Sequence, residues 1–286
     1  RFFKMKKDYP RVLTIQDISC FGQCSLTVAL PVISACGAET CVLPSAVLST
    51  HTCGFSGYTF RDLTDDMPAI EKHWQKEKIS FDAVYTGYLG SAKQIAYVES
   101  IARNCLEKDG LLIVDPAMAD NGKLYPGFDA AFVAEMKKLA AKADYLLPNL
   151  TEACLLTGTD YKTDYNQAYI EDVSEKLIAL GAKTVVLTGV SYSAGKTGVV
   201  VFSDGKYEYY EHEKIAEGCH GTGDIYASAF TGALLRGANA AKAAEIAANF
   251  VVECIKATAG DQNHKYGAKF EKVLGKLICA VDAITK

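Results

Sequence analysis

The chain lacks any C-x-x-C pair, although its 286 residues include ten cysteines, at Cys20, Cys24, Cys36, Cys41, Cys53, Cys105, Cys154, Cys219, Cys254 and Cys279. Without ligand spacing a zinc site is excluded. Most of these cysteines sit in apolar contexts, such as Ala153-Cys154-Leu155-Leu156, and read as buried free thiols of a reducing compartment. Positive charge is not in excess: 30 Lys and Arg against 34 Asp and Glu leave a net charge of −4, which gives nucleic acid no purchase. No apolar run approaches the roughly 18 residues of a membrane span. Arg1-Phe2-Phe3-Lys4-Met5-Lys6-Lys7 has no apolar signal-peptide core, and Met5 is read as the natural first residue. A cytoplasmic location is expected. No linker, low-complexity tract or internal repeat is visible, so residues 1–286 are expected to form a single domain.

What is present is an alternation of short β-branched runs with longer helical patterns. Strands are predicted at Val12–Ile15, Thr40–Leu43, Ala83–Gly87, Leu111–Val114, Tyr145–Leu147 and Thr184–Thr188. Helices are predicted over Leu26–Cys36, Met67–Lys78, Ala92–Glu107, Asp129–Ala141, Thr151–Thr157, Ile170–Leu180, Asp224–Arg236, Ala240–Ala257 and Phe270–Thr285. Gly198–Phe202 and Lys206–Tyr210 read as a hairpin around Ser203-Asp204-Gly205. The order implies an α/β fold with a mostly parallel central sheet, helices on both faces and an antiparallel edge.

The densest signal is Gly218-Cys219-His220-Gly221-Thr222-Gly223-Asp224, followed by an Ala-rich helix. Glycines let the backbone approach a ligand closely. At a helix N-terminus the free N–H groups of Gly221 to Gly223 would favour a phosphate. Asp224 beside such a site reads as a general base for an attacking hydroxyl, or as a plain N-cap. In an open parallel sheet, ligands bind beyond the carboxyl ends of the strands. Polar residues fall there repeatedly: Gln16 and Asp17, Thr86-Gly87-Tyr88, Asp115-Pro116, Pro148-Asn149 with Glu152, and Thr188-Gly189. Asp115 and Glu152 are the carboxylates for Mg²⁺, directly or through water. Glu152 equally suits the helix that Asn149-Leu150-Thr151-Glu152 opens. His51, in the polar Ser49-Thr50-His51-Thr52-Cys53-Gly54 loop, is a candidate ligand contact, whereas His73, His212 and His264 read as surface or satisfied histidines.

Two decoys fall away. Gly189 to Gly195-Lys196-Thr197 has five residues between its glycines where a P-loop has four, and a strand rather than a helix follows. It reads as a mobile loop beside a nucleotide. Cys219-His220 lacks a third, orienting group for a thiolate nucleophile.

Taken together, Val12-Leu13-Thr14-Ile15-Gln16, Ser49-Thr50-His51-Thr52, Thr86-Gly87-Tyr88, Asp115-Pro116, Pro148-Asn149-Leu150-Thr151-Glu152 and Gly221-Thr222-Gly223-Asp224 resemble the vitamin B6 kinase branch of the ribokinase-like superfamily, the pyridoxal and pyridoxamine kinases. The resemblance runs from about residue 11 to about residue 255. It implies a homodimer that transfers the γ-phosphoryl group of ATP to the 5′-hydroxymethyl of a B6 vitamer, with Mg²⁺ and a monovalent cation as an open addition. By position it implies Asp224 as base and the amides of Gly221, Thr222 and Gly223 as anion hole. Asp115 and Glu152 would face Mg-ATP, with Asn149 and Thr188 on the nucleotide side. Thr52 and Tyr88 would frame the pyridine, with His51 nearby.

One residue departs from the pattern: many relatives have Ser where this chain has Asp17. A carboxylate there favours a cationic partner such as the amine of pyridoxamine, unless Asp17 only caps the following turn. The departure keeps hydroxymethylpyrimidine kinases of thiamine synthesis as an alternative. Their first loop is typically richer in glycine than Asp17-Ile18-Ser19-Cys20-Phe21-Gly22. A catalytically idle binder on the same fold is the third reading, and the intact base speaks against it.

Overall fold

The computed structural model describes residues 7–215, 219–264 and 266–284. Met5, Gly218 and Thr285 therefore lie outside the described residues. The chain divides into two compact units, one made of Arg1–Met67 with Lys214–Lys286, the other of Pro68–Glu213.

The first unit begins with β1 (Arg11–Ser19), α1 (Leu26–Ala35), β2 (Glu39–Leu48) and the short β3 (Phe60–Asp62). β1 and β2 pair in parallel, and β2 and β3 pair antiparallel. Val12, Leu13 and Ile15 are fully buried, as are Thr14 and Gln16 on the same strand. β1 runs four residues past the predicted Ile15, and its register shifts between Gln16 and Ile18, which sets Asp17 at an irregularity.

The second unit follows, from α2 (Met67–Lys76), whose first residue closes the preceding unit, through β4 (Phe81–Thr86), α3 (Ala92–Cys105) and β5 (Leu106–Val114). A small ribbon of β6 (Ala119–Asp120) and β7 (Lys123–Leu124) precedes α4 (Ala130–Ala140). Then come β8 (Tyr145–Leu146), α5 (Leu150–Thr157), α6 (Gln167–Leu180), β9 (Thr184–Val190), β10 (Lys196–Ser203) and β11 (Lys206–Glu213). Its strands run in the order β11-β10-β9-β8-β5-β4. The pairs from β4 to β9 are parallel, and β9 to β11 form the expected antiparallel edge. Since β10 begins at Lys196, the segment after Gly195 is a strand and no P-loop.

The chain returns to the first unit with α7 (Thr222–Leu235), α8 (Ala240–Thr258), a 3₁₀ turn over Phe270–Val273 and α9 (Leu274–Asp282). The single helix predicted over Phe270–Thr285 is thus corrected to a 3₁₀ turn and a shorter helix. α7 packs on α1 and α8. Gly232 allows the close crossing with α1, because a Cβ there would stand 2.4 Å from Cys36 Sγ.

The ten cysteines are free, but only Cys36, Cys105, Cys154 and Cys254 are buried. The expectation of buried thiols is corrected for the other six: Cys20, Cys24, Cys53 and Cys219 lie on loops, Cys41 on β2 and Cys279 on α9. Among the described residues no helix is long and apolar enough to cross a membrane, and no cluster of three His, Cys, Asp or Glu side chains could hold a metal.

Candidate active site

Helix ends in this chain follow two regimes. The N-termini of α3, α4, α5, α6 and α8 are closed by the side chains of Ser91, Asp129, Asn149, Asn166 and Asn239, each accepting a hydrogen bond from an amide of the first turn. α1, α7 and α9 have no such side-chain cap, and the cap residue of α7 is Gly221, in the left-handed region at φ 77°. The first amides of α7 have no partner within the helix, so an anion can use them.

Gly221 is glycine for two reasons. Its φ disfavours any Cβ, and a Cβ built there would lie 2.0 Å from the carbonyl oxygen of Gln23. Gly223 has nothing within 4 Å of such a Cβ, so there is space in front of the helix. Asp224 follows in the first turn, where one carboxylate oxygen accepts the backbone N–H of Ser25 at 2.9 Å. Loss of solvation pushes its carboxyl up to about 6, with the charge of Asp17 adding to the rise and the Ser25 N–H opposing it. A carboxylate near 6 is ionised at neutral pH yet basic enough to take a proton.

Asp17 lies in the same unit, 5% exposed. Its Oδ1 accepts the Ser25 hydroxyl at 2.6 Å and its Oδ2 the Ser19 hydroxyl at 3.1 Å. Burial raises its pKa, against those two hydroxyls. Asp17 thus has a place in the hydrogen bonding of its own loop, which is the turn-holding alternative of its two readings.

His51 is buried, and both ring nitrogens are engaged by backbone. Nδ1 accepts from the N–H of Cys53 at 3.1 Å, which leaves Nε2 to donate to the carbonyl of Tyr266 at 2.9 Å. Burial lowers its pKa, so the ring is neutral. What His51 still offers is a ring edge and face, beside Phe55 and His220 at centroid distances of 5.1 and 5.7 Å. Phe21 joins Phe55 and Tyr266 in the same aromatic group. Thr52, next in the chain, is exposed.

The second unit gathers another set. Asn149 and Glu152 form a reciprocal capping box at the start of α5. Glu152 is buried. Its Oε1 accepts from Met118 N–H at 2.9 Å, with a longer contact to Ala119 N–H, and its Oε2 from Asn149 N–H at 2.9 Å. Burial pushes its carboxyl upward, against amides that favour the ionised form. Asn149 spends its Nδ2 on the carbonyl of Ala119 at 2.8 Å. Thr188 is bridged in parallel to Asn149, its N–H reaching the carbonyl of Pro148. Asp115, half-buried at the end of β5, accepts the N–H of Ala117 at 3.1 Å. Tyr88 follows β4, with its ring 5.4 Å from that of Phe128.

The donor chemistry can be tested against Mg²⁺, which takes hard oxygens from one or two carboxylates and keeps several waters. Asp115 fits such a donor. Glu152, with both oxygens turned to backbone amides, fits only through water. The sequence missed Ser25 and Ser19, whose partners lie on other elements or across a bulge. It also missed the Met118 and Ala119 amides, which carry no side-chain signal.

With this geometry in view, comparison with known proteins is specific. The phosphomethylpyrimidine kinase family matches residues 30–270. A solved structure of a protein described as a phosphomethylpyrimidine kinase of Bacteroides thetaiotaomicron is 37% identical, with a TM-score of 0.91 and 95% of each chain covered. The same protein has also been solved with pyridoxal. Pyridoxal kinase of Lactobacillus plantarum is 32% identical with a TM-score of 0.84, covering 94% of this chain and 97% of that one. Hydroxymethylpyrimidine/phosphomethylpyrimidine kinase of Bacillus subtilis is 28% identical over 87% of this chain and 83% of its own.

Proposed function

Because the chain belongs to the phosphomethylpyrimidine kinase family, with a ribokinase-like fold and pyridoxal kinase among its relatives, we propose that it uses ATP to phosphorylate the 5′-hydroxymethyl group of a B6 vitamer, with pyridoxal, pyridoxamine and pyridoxine as the substrate class. The observation that carries the reading is Asp224, raised to about 6 and set immediately behind the uncapped amides of α7. In the proposed reaction the Asp224 carboxylate takes the hydroxyl proton as the alcohol oxygen bonds the γ-phosphorus. The bond from that phosphorus to the β-phosphate oxygen breaks, and ADP leaves. The amides of Gly221, Thr222 and Gly223 carry the charge on the transferring phosphoryl group. Asn149 and Thr188 belong to the nucleotide side. Thr52, Tyr88 and the faces of His51 belong to the ring. Magnesium, when bound, would neutralise phosphate charge, with Asp115 as its carboxylate and Glu152 reached through water. A single catalytic domain, a homodimer and a cytoplasmic setting complete the proposal.

The pyridoxal complex of the 37% identical relative favours the B6 vitamers. The Bacillus subtilis relative keeps hydroxymethylpyrimidine as the second reading. Each candidate, supplied with Mg-ATP in a coupled assay for ADP, separates them. B6 vitamers are expected to be turned over faster, and faster turnover of hydroxymethylpyrimidine would reverse the assignment. If leftover acceptor capacity of Asp17 meets the substrate amine, kcat/KM for pyridoxamine exceeds that for pyridoxal and the ratio narrows in Asp17→Ser. An unchanged ratio leaves Asp17 to its loop.

The two carboxylates of the second unit should separate under titration. Asp115→Asn is expected to raise the Mg²⁺ concentration for half-maximal rate. Glu152→Gln is expected chiefly to lower the melting temperature, because its amide cannot accept three backbone N–H groups in the same way. Wild-type Mg²⁺ dependence in Asp115→Asn would remove it from the metal.

A further inference from the structure

The loop between β1 and α1 touches the start of α7 on both sides of the free amides. Upstream, the Gln23 carbonyl fills the place a Cβ of residue 221 would need. Downstream, the Ser25 N–H holds Asp224. Ser25 is also one of the few non-glycine residues at positive φ, at φ 51° and ψ −131°. That conformation is sparsely populated for a residue with a Cβ and persists only where the surroundings over-determine it. Capping does not explain it, since the Ser25 side chain makes no hydrogen bond to α1. The hydroxyl instead donates to Asp17 Oδ1 at 2.6 Å, and Asp17 is held from its other oxygen by Ser19.

We propose that Ser25 is a positioning residue for phosphoryl transfer, its strained backbone aiming one N–H at Asp224 while its hydroxyl, tied to Asp17, holds that strain in place. This rests on Asp224 being the base. Ser25 thereby links two carboxylates that would otherwise repel, and it orients Asp224 without touching substrate. The groups that face Asp224 are Asp17, Cys24 and Ser25, and His51 faces Asp17 in turn. Cys24 remains a neutral thiol, pushed up to about 12 by burial and by both carboxylates. His51 is neutral, so Asp17 is the charged neighbour that bears on the base.

Three variants test the assignment, each with the melting temperature recorded. Ser25→Ala keeps the Cβ and removes the tether, so the backbone relaxes and the N–H turns away. A fall in kcat of roughly 10–10²-fold with KM for ATP little changed is expected, together with an acid limb of the kcat profile moved to higher pH. Ser25→Gly removes hydroxyl and strain together, and glycine adopts this φ freely. It is expected to regain much of the kcat lost in Ser25→Ala and to return the acid limb toward its native position. Asp17→Asn keeps an acceptor for the Ser25 hydroxyl but removes the charge, so the acid limb is expected to move to lower pH.

A Ser25→Ala enzyme with native kcat and acid limb would overturn the proposal. So would Ser25→Ala and Ser25→Gly enzymes equally impaired, because the conformation would then not be what matters. Should Ser25→Ala fail to fold, Ser25→Gly and Asp17→Asn decide. Ser25→Gly with kcat reduced by more than roughly 10²-fold, or Asp17→Asn with an unmoved acid limb, overturns it. Asp224→Asn, run beside them, separates the two levels. Native turnover in Asp224→Asn removes the base itself, whereas impaired Asp224→Asn with native Ser25→Ala removes only the positioning role.

Discussion

Replacing Asp224 by Asn is expected to lower kcat by roughly 10²–10⁴-fold, with the KM for ATP close to that of the unmodified chain. The amide matches the carboxylate in shape and can still accept the Ser25 N–H, so what is lost is the capacity to take a proton. The native enzyme should lose activity as pH falls through about 6, where Asp224 protonates. The same shift has a sign for stability. A carboxyl raised from 3.8 to about 6 supplies stability that is present below its unfolded value and lost as pH rises through the folded one. At pH 7.5 the native chain has lost that contribution, so Asp224→Asn should melt at or above the native temperature, and the difference should narrow as pH falls below 6. An inactive variant that is no less stable marks a residue kept for chemistry. Near-native turnover, measured by ADP release, would remove Asp224 as the base.

The second large effect is expected at Gly221. Alanine there faces both a φ of 77° and a Cβ 2.0 Å from the Gln23 carbonyl, so the loop or the helix start must move. A loss on the order of 2–3 kcal/mol is expected, read as a lower melting temperature. Turnover should fall by roughly 10²-fold as the amides shift from their positions. Gly223→Ala is the contrast. Its Cβ meets nothing within 4 Å and its position is helical, so stability should hold or rise slightly. Its kcat should still drop, because the methyl enters the space proposed for the phosphoryl group. Equal losses of stability in the two variants would mean that the glycines share one structural duty.

Much of this was legible in the sequence where the signal was local. The parallel strands and the antiparallel edge followed from alternating β-branched runs, and the start of α5 followed from Asn149 with Glu152 three residues on. β3, β6 and β7 were not legible, because two or three residues carry no periodicity. The C-terminal segment reads as one continuous helix because a 3₁₀ turn over Phe270–Val273 keeps a helical apolar pattern. At the candidate site the glycines and Asp224 were legible as a motif, but their supports were not. Ser25 N–H is a backbone donor 199 positions away from Asp224, and nothing local marks a serine for positive φ. The polar loop marks His51, yet backbone groups at Cys53 and Tyr266 decide which of its atoms stay available.

The unit that contains α7 is assembled from both ends of the chain, and this sets a timetable for its biosynthesis. α1 buries Val28, Ala29, Val32 and Ile33, and α7 is among the elements it packs on. A ribosome adding about 5–20 residues per second makes α1 wait roughly 10–40 s before α7 emerges. Pro68–Glu213 needs no such delay, since all its residues are contiguous. During synthesis the nascent chain therefore carries an early apolar helix lacking one of its covers, a natural handle for a chaperone.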